Sequence, residues 1–238
     1  MSAFLEVAGA SKAFGGIHAV EDMDFAVAEG EICGVIGPNG SGKTTLLGLL
    51  SGTYRPDRGT IRLKGRRIDR LSAHRTVQQG VARTFQTSRL LFRWPLAANL
   101  AAAAAARPIA QGGPSAEPGE LLALVGLAGR GGAICSSLSN AEQRLAMVAV
   151  ALATRPHLML LDEPAVGMSP SEATALAGVI RRIRDERGAT IIIVEHNMHF
   201  MMGLAERIMA MNAGRKLAEG TPAEIRRDPG VIAAYLGA

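Results

Sequence analysis

The sequence predicts an α/β fold with a mostly parallel sheet, and two patterns lead to that prediction. After Pro156 the chain passes through an apolar segment at His157–Leu161, an amphipathic segment at Ser171–Arg187 and a β-branched segment at Ala189–Val194. Strands that alternate with helices are typical of parallel sheets with helices on both faces. The second pattern is the short apolar run Ile32–Ile36, which ends in a glycine-rich loop before residues at helical spacing. Both patterns describe a strand that leads into a helix, which is the repeating unit of such a sheet.

Alternation and turn residues define the elements around this unit. Residues 1–36 and 57–70 alternate apolar and polar positions between glycine-containing turns, so they predict strands. The helix after the glycine-rich loop should cover Thr44–Leu50 and end at Gly52.

Leucine and alanine dominate the stretch from Ser88 to Ala153, which therefore predicts helices. Six consecutive alanines at 101–106 belong to this stretch, and alanine is the best helix former. Glycines and prolines interrupt it at Gln111–Gly119, where we expect a loop.

Composition excludes some classes of protein and leaves others open. The chain has 238 residues, of which 48% are hydrophobic and 20% charged, so wholesale disorder is excluded. A net charge of +5 is compatible with nucleic acid, a membrane surface or a phosphorylated small molecule as partner. Two cysteines, Cys33 and Cys135, are too few for a disulfide framework or a zinc site. With no secretory signal pattern and no run of about 18 apolar residues, we expect a cytoplasmic protein.

Residues 37–44, GPNGSGKT, fit the pattern G-x-x-x-x-G-K-[ST] between a predicted strand and a predicted helix. The glycines allow a tight turn whose N–H groups aim at phosphate oxygens, and the helix N-terminus adds partial positive charge. Lys43 can reach the β- and γ-phosphates, and the Thr44 hydroxyl can hold Mg²⁺. The residues expected to bind a nucleoside triphosphate here are Gly37, Pro38, Asn39, Gly40, Ser41, Gly42, Lys43, Thr44 and the adjacent Thr45.

Two later strands end in polar residues that suit catalysis. The strand at His157–Leu161 leads into Asp162 and Glu163 at the carboxyl edge of the sheet, where ligands of open α/β folds bind. We expect Asp162 to fix Mg²⁺ through its water shell. Glu163 should point the other way, because strand side chains alternate, and should polarise an attacking water. The next strand should expose His196 at the same edge, near the γ-phosphate.

The segment LSNAEQ at 138–143 precedes an apolar helix at 144–153. Ser139 and Glu142 have the spacing of a capping box, in which each side chain bonds to the backbone N–H of the other residue. Such a capped helix N-terminus still offers free N–H groups to an anion.

The order of these motifs resembles that of ABC-type ATPases over nearly the whole chain. The order is the phosphate loop, Gln86 at the end of ARTFQ, LS-x-x-EQ, a strand ending in DEP and a strand ending in EH. The resemblance implies one domain over 1–238, with a RecA-like, mostly parallel core and an antiparallel β subdomain. Residues 1–87 and 154–238 would form these parts, and 88–153 an inserted α-helical subdomain.

The resemblance also implies roles for single residues. Phe14 would stack on adenine, and Gln86 would sense both Mg²⁺ and a transmembrane partner. The full implied sets are Lys43, Gln86, Glu163 and His196 for catalysis, Thr44, Gln86 and Asp162 for Mg²⁺, and Ser139, Ala141 and Gln143 for contact with ATP.

By the same resemblance, two chains form a head-to-tail dimer with two ATP molecules at the interface. Each ATP would lie between the phosphate loop of one chain and the LS-x-x-EQ segment of the other. The second ATPase subunit could be identical or different. Two transmembrane permeases and a solute-binding protein would complete the transporter, and the ATPase would lie at the inner face of the membrane.

Ala141 departs from the family pattern, which usually has glycine at this position. A methyl group there could crowd the approach to the γ-phosphate. If the backbone is already helical at Ala141, alanine costs little and the helix gains. We expect ATP-driven closure to be weakened but not lost.

The tail at 218–225 and 231–237, with the segments 82–86, 162–168 and 195–198, resembles the ATPases of branched-chain amino acid uptake systems. ATPases for urea or amide uptake and for lipopolysaccharide export share much of this tail. Another alternative is a nucleotide-binding partner subunit with an impaired signature at Ala141. A role on nucleic acid is disfavoured, since there is no second cassette and only nine residues are Phe, Trp or Tyr.

Overall fold

Two sheets and nine helices form the parts of the chain that the computed structural model describes, namely residues 3–86, 90–106 and 117–236. The strands are β1 (Leu5–Phe14), β2 (Ile17–Val27), β3 (Ile32–Ile36), β4 (Arg58–Leu63), β5 (Arg66–Arg67), β6 (Val81–Arg83), β7 (Leu158–Asp162), β8 (Thr190–Val194), β9 (Arg207–Asn212) and β10 (Arg215–Gly220). The helices are α1 (Lys43–Leu50), α2 (Ala73–Gln78), α3 (Leu96–Ala105), α4 (Pro118–Leu124), α5 (Asn140–Ala153), α6 (Pro170–Arg187), α7 (Met198–Leu204), α8 (Pro222–Ile225) and α9 (Pro229–Leu236).

The larger sheet has six strands in the order β10-β9-β3-β8-β7-β6. Strands β6 to β9 and β3 run parallel, and β10 joins the edge antiparallel to β9. Every residue of β3, β7 and β8 is buried, which explains why these strands are continuous apolar runs without alternation. The predicted mostly parallel core is confirmed.

The smaller sheet is antiparallel, with strand order β2-β1-β4-β5, and it confirms the predicted antiparallel part of the fold. Its inner face shares one buried cluster with α1 and with one face of the parallel sheet. Met23 of β2, Leu46 of α1 and Val35 of β3 are all fully buried in this cluster. The helix that follows the glycine-rich loop is therefore held between the two sheets.

Helices α3, α4 and α5 occupy the described part of the predicted helical stretch, and a second buried cluster joins them to the parallel sheet. Most of the loop predicted at Gln111–Gly119 falls at 107–116, outside the described residues. The loop prediction was wrong at Pro118 and Gly119, which form the first turn of α4. Proline suits that first position because its missing N–H would have no partner inside the helix.

The predicted division into 1–87 with 154–238 and 88–153 stays a prediction, and its first boundary falls at residues 87–89, which are not described. None of the helices within the described ranges is long and apolar enough to cross a membrane.

Candidate active site

The loop at 37–44, here called the P-loop, joins the end of β3 to the start of α1, and two of its glycines are required by close approaches. Gly42 has φ +101°, and a Cβ atom there would lie 2.1 Å from the carbonyl oxygen of Ala19 in β2. A Cβ atom on Gly37 would lie 2.3 Å from the carbonyl oxygen of Met211 in β9. The backbone of both sheets therefore fixes the shape of the P-loop.

Lys43 is buried against the P-loop, and its ammonium group already has oxygen partners. Nζ donates hydrogen bonds to the carbonyl oxygens of Gly37 at 2.7 Å and Pro38 at 2.8 Å. Burial lowers the pKa of Lys43, while the nearby carboxylates of Glu163 and Asp162 raise it. The Lys43 amine thus has carbonyl acceptors in the loop and two acidic side chains nearby, and a phosphate oxygen can replace a carbonyl as acceptor.

The N-terminus of α1 has the features of an anion site. Its N-cap is Gly42, and within the described chain neither a side-chain cap nor an acidic residue covers its first turn. By contrast, α5, α6 and α8 all begin with a capping box. The first N–H groups of a helix have no partner inside it, so those of α1 are suited to bind phosphate. Thr44 is exposed in this first turn and Thr45 is half-buried beside it.

Asp162 is the last residue of β7 and is held by Arg83, a residue that sequence reasoning missed. Nη2 of Arg83 donates to Oδ2 of Asp162 at 2.8 Å, and both side chains are buried. The N–H of Asp162 donates to Oγ1 of Thr84 at 3.2 Å. This pairing orients the carboxylate and uses one of its oxygens. The signal in the sequence was an arginine at the end of an otherwise apolar strand.

Glu163 and His196 lie together beside Asp162, as the sequence predicted for a shared sheet edge, and Gln86 lies with them. Nε2 of Gln86 donates to Oε2 of Glu163 at 2.8 Å, and Nδ1 of His196 lies 3.7 Å from Oε1 of the same carboxylate. His196 is 55% exposed and Glu163 only 14%. The glutamate is thus enclosed, with an amide on one oxygen and an imidazole near the other.

Strand alternation does not set the direction of Glu163, contrary to the expectation from sequence. Strand β7 ends at Asp162, and Glu163 has φ +48°, a left-handed conformation that costs a non-glycine residue about 1–2 kcal/mol. Its N–H donates to the carbonyl oxygen of Val194 at 2.9 Å, which ties the turn to the end of β8. Backbone strain of this kind is concentrated at functional sites.

Glu195, which sequence reasoning also missed, connects the segment after Glu163 to the segment after His196. Its buried carboxylate accepts hydrogen bonds from the N–H of Ala165 at 2.8 Å and of Asn197 at 3.5 Å. Burial raises the pKa of Glu195, although these N–H groups lower it. The two segments that carry Glu163 and His196 are therefore linked through a third acid.

The start of α5 forms the predicted capping box. Oγ of Ser139 accepts from the N–H of Glu142 at 3.2 Å, and Oε2 of Glu142 accepts from the N–H of Ser139 at 2.9 Å. Ala141 lies within the first helical turn. Nε2 of Gln143 donates to the carbonyl oxygen of Leu138 at 3.0 Å. These groups bond within their own segment and not to the P-loop of the same chain.

Arg144 links α5 to the segment that contains Gln86, and sequence reasoning did not identify this arginine. Its Nη1 donates to the carbonyl oxygen of Gln86 at 2.7 Å. The position of Gln86 is therefore coupled to both Glu163 and the start of α5.

Phe14 lies at the end of β1 and is 42% exposed. Its ring packs edge-on against Tyr54, with 5.1 Å between the ring centroids, and the ammonium group of Lys12 lies 5.3 Å from its centre. An exposed aromatic face of this kind suits stacking on a planar base. Tyr54, which supports the ring, had no signal in the sequence.

The donor set fits Mg²⁺ held jointly with phosphates. Among the described residues no cluster of three or more His, Cys, Asp or Glu side chains could hold a metal alone. Mg²⁺ usually keeps several waters and takes one or two carboxylates together with phosphate oxygens. The Thr44 hydroxyl, the Asp162 carboxylate and the Gln86 amide oxygen are donors of this type.

Comparison with known proteins shows the family of the chain. Residues 20–166 match the model of the ABC transporter family, and 215–238 match that of the branched-chain amino acid ATP-binding cassette transporter. The chain is 37% identical to the high-affinity branched-chain amino acid transport ATP-binding protein LivG of Salmonella typhimurium and 36% identical to BraF of Pseudomonas aeruginosa. In each case the match covers 98% of this chain and 97% of the relative.

Solved structures of the same fold include an ATP-binding cassette of an ABC transporter in its ADP conformation, with a TM-score of 0.89. That likeness covers 100% of both chains at 24% sequence identity and supports the fold. The motifs, the matched family model and the relatives agree, and the chain therefore belongs to the ABC transporter family as one of its ATP-hydrolysing cassettes.

Proposed function

We propose that this cassette powers an importer of branched-chain or other hydrophobic amino acids. The observation that carries the proposal is the enclosed Glu163, bonded to Gln86, near His196 and beside the P-loop that holds Lys43. The match of the tail and the names of the relatives support the amino-acid branch. The same tail leaves urea, amide or lipopolysaccharide transport as alternatives.

The reaction is attack of water on the γ-phosphorus of ATP, which breaks its bond to the β–γ bridging oxygen and releases ADP and inorganic phosphate. Lys43 and the N–H groups at the start of α1 stabilise the negative charge that develops on the phosphate oxygens. Glu163 orients the water and accepts its proton, and His196 keeps the glutamate side chain aligned with the γ-phosphate. Thr44, Asp162 and Gln86 would hold Mg²⁺, which neutralises charge on the phosphates when bound.

A head-to-tail dimer completes the site in this proposal. Ser139 is exposed at the start of α5, and its hydroxyl oxygen accepts a hydrogen bond from the N–H of Glu142 in the same helix. A helix N-terminus stabilises an anion, so that of α5 would contact ATP held by a second cassette. Ser139, Ala141 and Gln143 then act on the nucleotide of the partner.

The alanine at 141 gives a direct test of the dimer. Replacing Ala141 with glycine should increase ATP-dependent dimerisation and the ATPase rate several-fold, because it removes a methyl group from the approach to the γ-phosphate. The change also costs about 1 kcal/mol of helix stability, since Ala141 is helical. Dimerisation is measured by light scattering with MgATP and turnover by phosphate release.

Ala175→Gly is the control, since Ala175 is an exposed alanine inside α6 and reports the cost of glycine in a helix alone. No gain in dimerisation or in rate over this control would count against the role of Ala141. A wild-type chain that binds ATP but never hydrolyses it, alone or with its permeases, would favour the alternative of a non-hydrolysing partner subunit.

A patch of exposed apolar side chains lies within the helical stretch. Leu91, Phe92, Trp94 and Ile134 are each 40–50% exposed. Backbone hydrogen bonds at 92–95 and 134–136 bring them together, including that from Cys135 N–H to the carbonyl oxygen of Trp94 at 3.1 Å. Apolar patches this concentrated are typical of interaction sites. We propose that a cytoplasmic segment of the permease covers this patch, which places the cassette at the inner face of the membrane.

Replacing Trp94 with serine should abolish co-purification with the permeases while leaving MgATP binding unchanged, because Trp94 is half exposed and takes no part in the P-loop contacts described above. Ile232→Ser, which changes a comparably exposed residue of α9, is the control and should keep the complex intact. Full retention of the complex by the Trp94 variant would contradict the docking surface.

In proteoliposomes the intact complex should take up labelled leucine in preference to urea, and the reverse preference would overturn the amino-acid proposal.

A further inference from the structure

The C-terminal helix reaches the P-loop through one side chain. Tyr235 lies in the last turn of α9, and its hydroxyl oxygen accepts a hydrogen bond from the N–H of Gly37 at 2.9 Å. Gly37 is the first residue of the P-loop and lies 198 positions earlier in the chain. The bond is made to the backbone, so it acts on loop conformation directly.

Gly37 is the P-loop residue whose backbone conformation such a bond affects most. Its carbonyl oxygen accepts from Nζ of Lys43 at 2.7 Å, while its N–H donates to Tyr235. The two hydrogen bonds hold the peptide groups on either side of the Gly37 Cα, so together they restrict rotation about its N–Cα and Cα–C bonds. Glycine has the greatest backbone freedom of any residue, and this rotation has no side chain to restrict it.

Tyr235 is itself held in place. Helix α9 begins after Asp228, whose Oδ1 accepts from the N–H of Val231 at 2.8 Å, and Val231 is buried in the main core. The Tyr235 ring packs against the same core cluster and is half-buried. Burial raises the pKa of Tyr235, although the bond from Gly37 lowers it, so the phenol is neutral at physiological pH. A rigid ring on a packed helix is a firm anchor for a loop.

We propose that Tyr235 is a positioning residue that holds the first peptide of the P-loop in its phosphate-binding conformation and thereby makes α9 a part of the nucleotide site. The inference rests on the proposed binding of ATP at this loop. The tyrosine does not contact the phosphates. It acts through the N–H of Gly37 and, one peptide further along the chain, through the Gly37 carbonyl oxygen that accepts from Lys43. Loss of its hydroxyl frees the Gly37 rotation, which then has to be restricted again when phosphate binds.

The test is Tyr235→Phe in the full-length chain, which removes the hydroxyl and keeps the ring. The dissociation constants for MgATP and for inorganic tripolyphosphate should both rise by about 3- to 10-fold, the loss of one ordinary hydrogen bond. Both should rise by the same factor, because the effect lies at the phosphates and not at the base. KM for ATP should rise in step while kcat at saturation is unchanged, because Tyr235 makes no contact with Glu163.

Ile232→Ala is the control, since Ile232 is an exposed residue of the same helix, and it should leave both dissociation constants unchanged. Wild-type affinity of Tyr235→Phe for both ligands overturns the inference, and so does a lower melting temperature without any change in affinity. If the variant does not fold, hydrogen exchange of the Gly37 amide in the wild-type chain decides, because an unprotected amide means that the bond is absent. A wild-type chain without affinity for MgATP would overturn the proposed function as well, which is a separate and recognisable result.

Discussion

Glu163→Gln should bind MgATP as tightly as the wild-type chain and hydrolyse it at least about 100-fold more slowly, the usual contribution of a general base. The amide of glutamine cannot accept the proton of water, but its carbonyl oxygen can still accept the hydrogen bond that Gln86 donates at 2.8 Å. The side chain keeps its size, and the Glu163 backbone still donates to Val194. Binding therefore survives while proton transfer is lost.

Isothermal titration gives the affinity and phosphate release gives the turnover. Glu186→Gln, an exposed acid on α6, is the matched control, and it should change neither quantity. Wild-type turnover in Glu163→Gln would mean that another group accepts the proton. Glu195 is another acidic side chain near Glu163, but its carboxylate is buried and accepts hydrogen bonds from the N–H groups of Ala165 and Asn197. The side chain of Glu163 is enclosed but can still be reached by water, so it is better placed than Glu195 to accept the proton.

The parts of the site that are contiguous in sequence are predictable from sequence. The P-loop is eight adjacent residues whose glycines, lysine and threonine act together, and the capping box of α5 spans four. Parallel pairing extends this reach, because it brings the ends of neighbouring strands to one edge. Asp162 pairs with Val194, so Glu163, one residue after β7, and His196, two residues after β8, meet there.

Contacts between segments that are distant in the chain could not be predicted from the sequence. Arg83 meets Asp162 across 79 positions, and Tyr235 meets Gly37 across 198. Both depend on which strands are neighbours in the order β9-β3-β8-β7-β6 and on where α9 packs, and no local pattern specifies either. The direction of Glu163 could not be predicted for a different reason, since its left-handed backbone is disfavoured by intrinsic preference and is imposed by the bond to Val194.

Gly42→Ala should abolish detectable MgATP binding and destabilise the fold by clearly more than the 1–2 kcal/mol that a left-handed alanine costs. Its Cβ atom would lie 2.1 Å from the carbonyl oxygen of Ala19, and this oxygen belongs to the backbone of β2, which cannot rotate away. Either the P-loop or the strand must shift. Because Gly42 is the N-cap of α1, a shift of the loop also moves the N–H groups that face phosphate.

Gly188→Ala separates the clash from the left-handed conformation, and it is the control that makes the Gly42 result interpretable. Gly188 ends α6 with φ +63°, and among the described residues no atom outside its chain neighbours lies within 4 Å of the Cβ position. It should lose about 1–2 kcal/mol of unfolding free energy in urea and bind MgATP normally. Equal loss of stability in both variants, with binding kept in Gly42→Ala, would mean that the loop can move away from Ala19 and still bind phosphate. A larger loss at Gly42, together with lost binding, would mean that the antiparallel sheet holds the P-loop in its working shape.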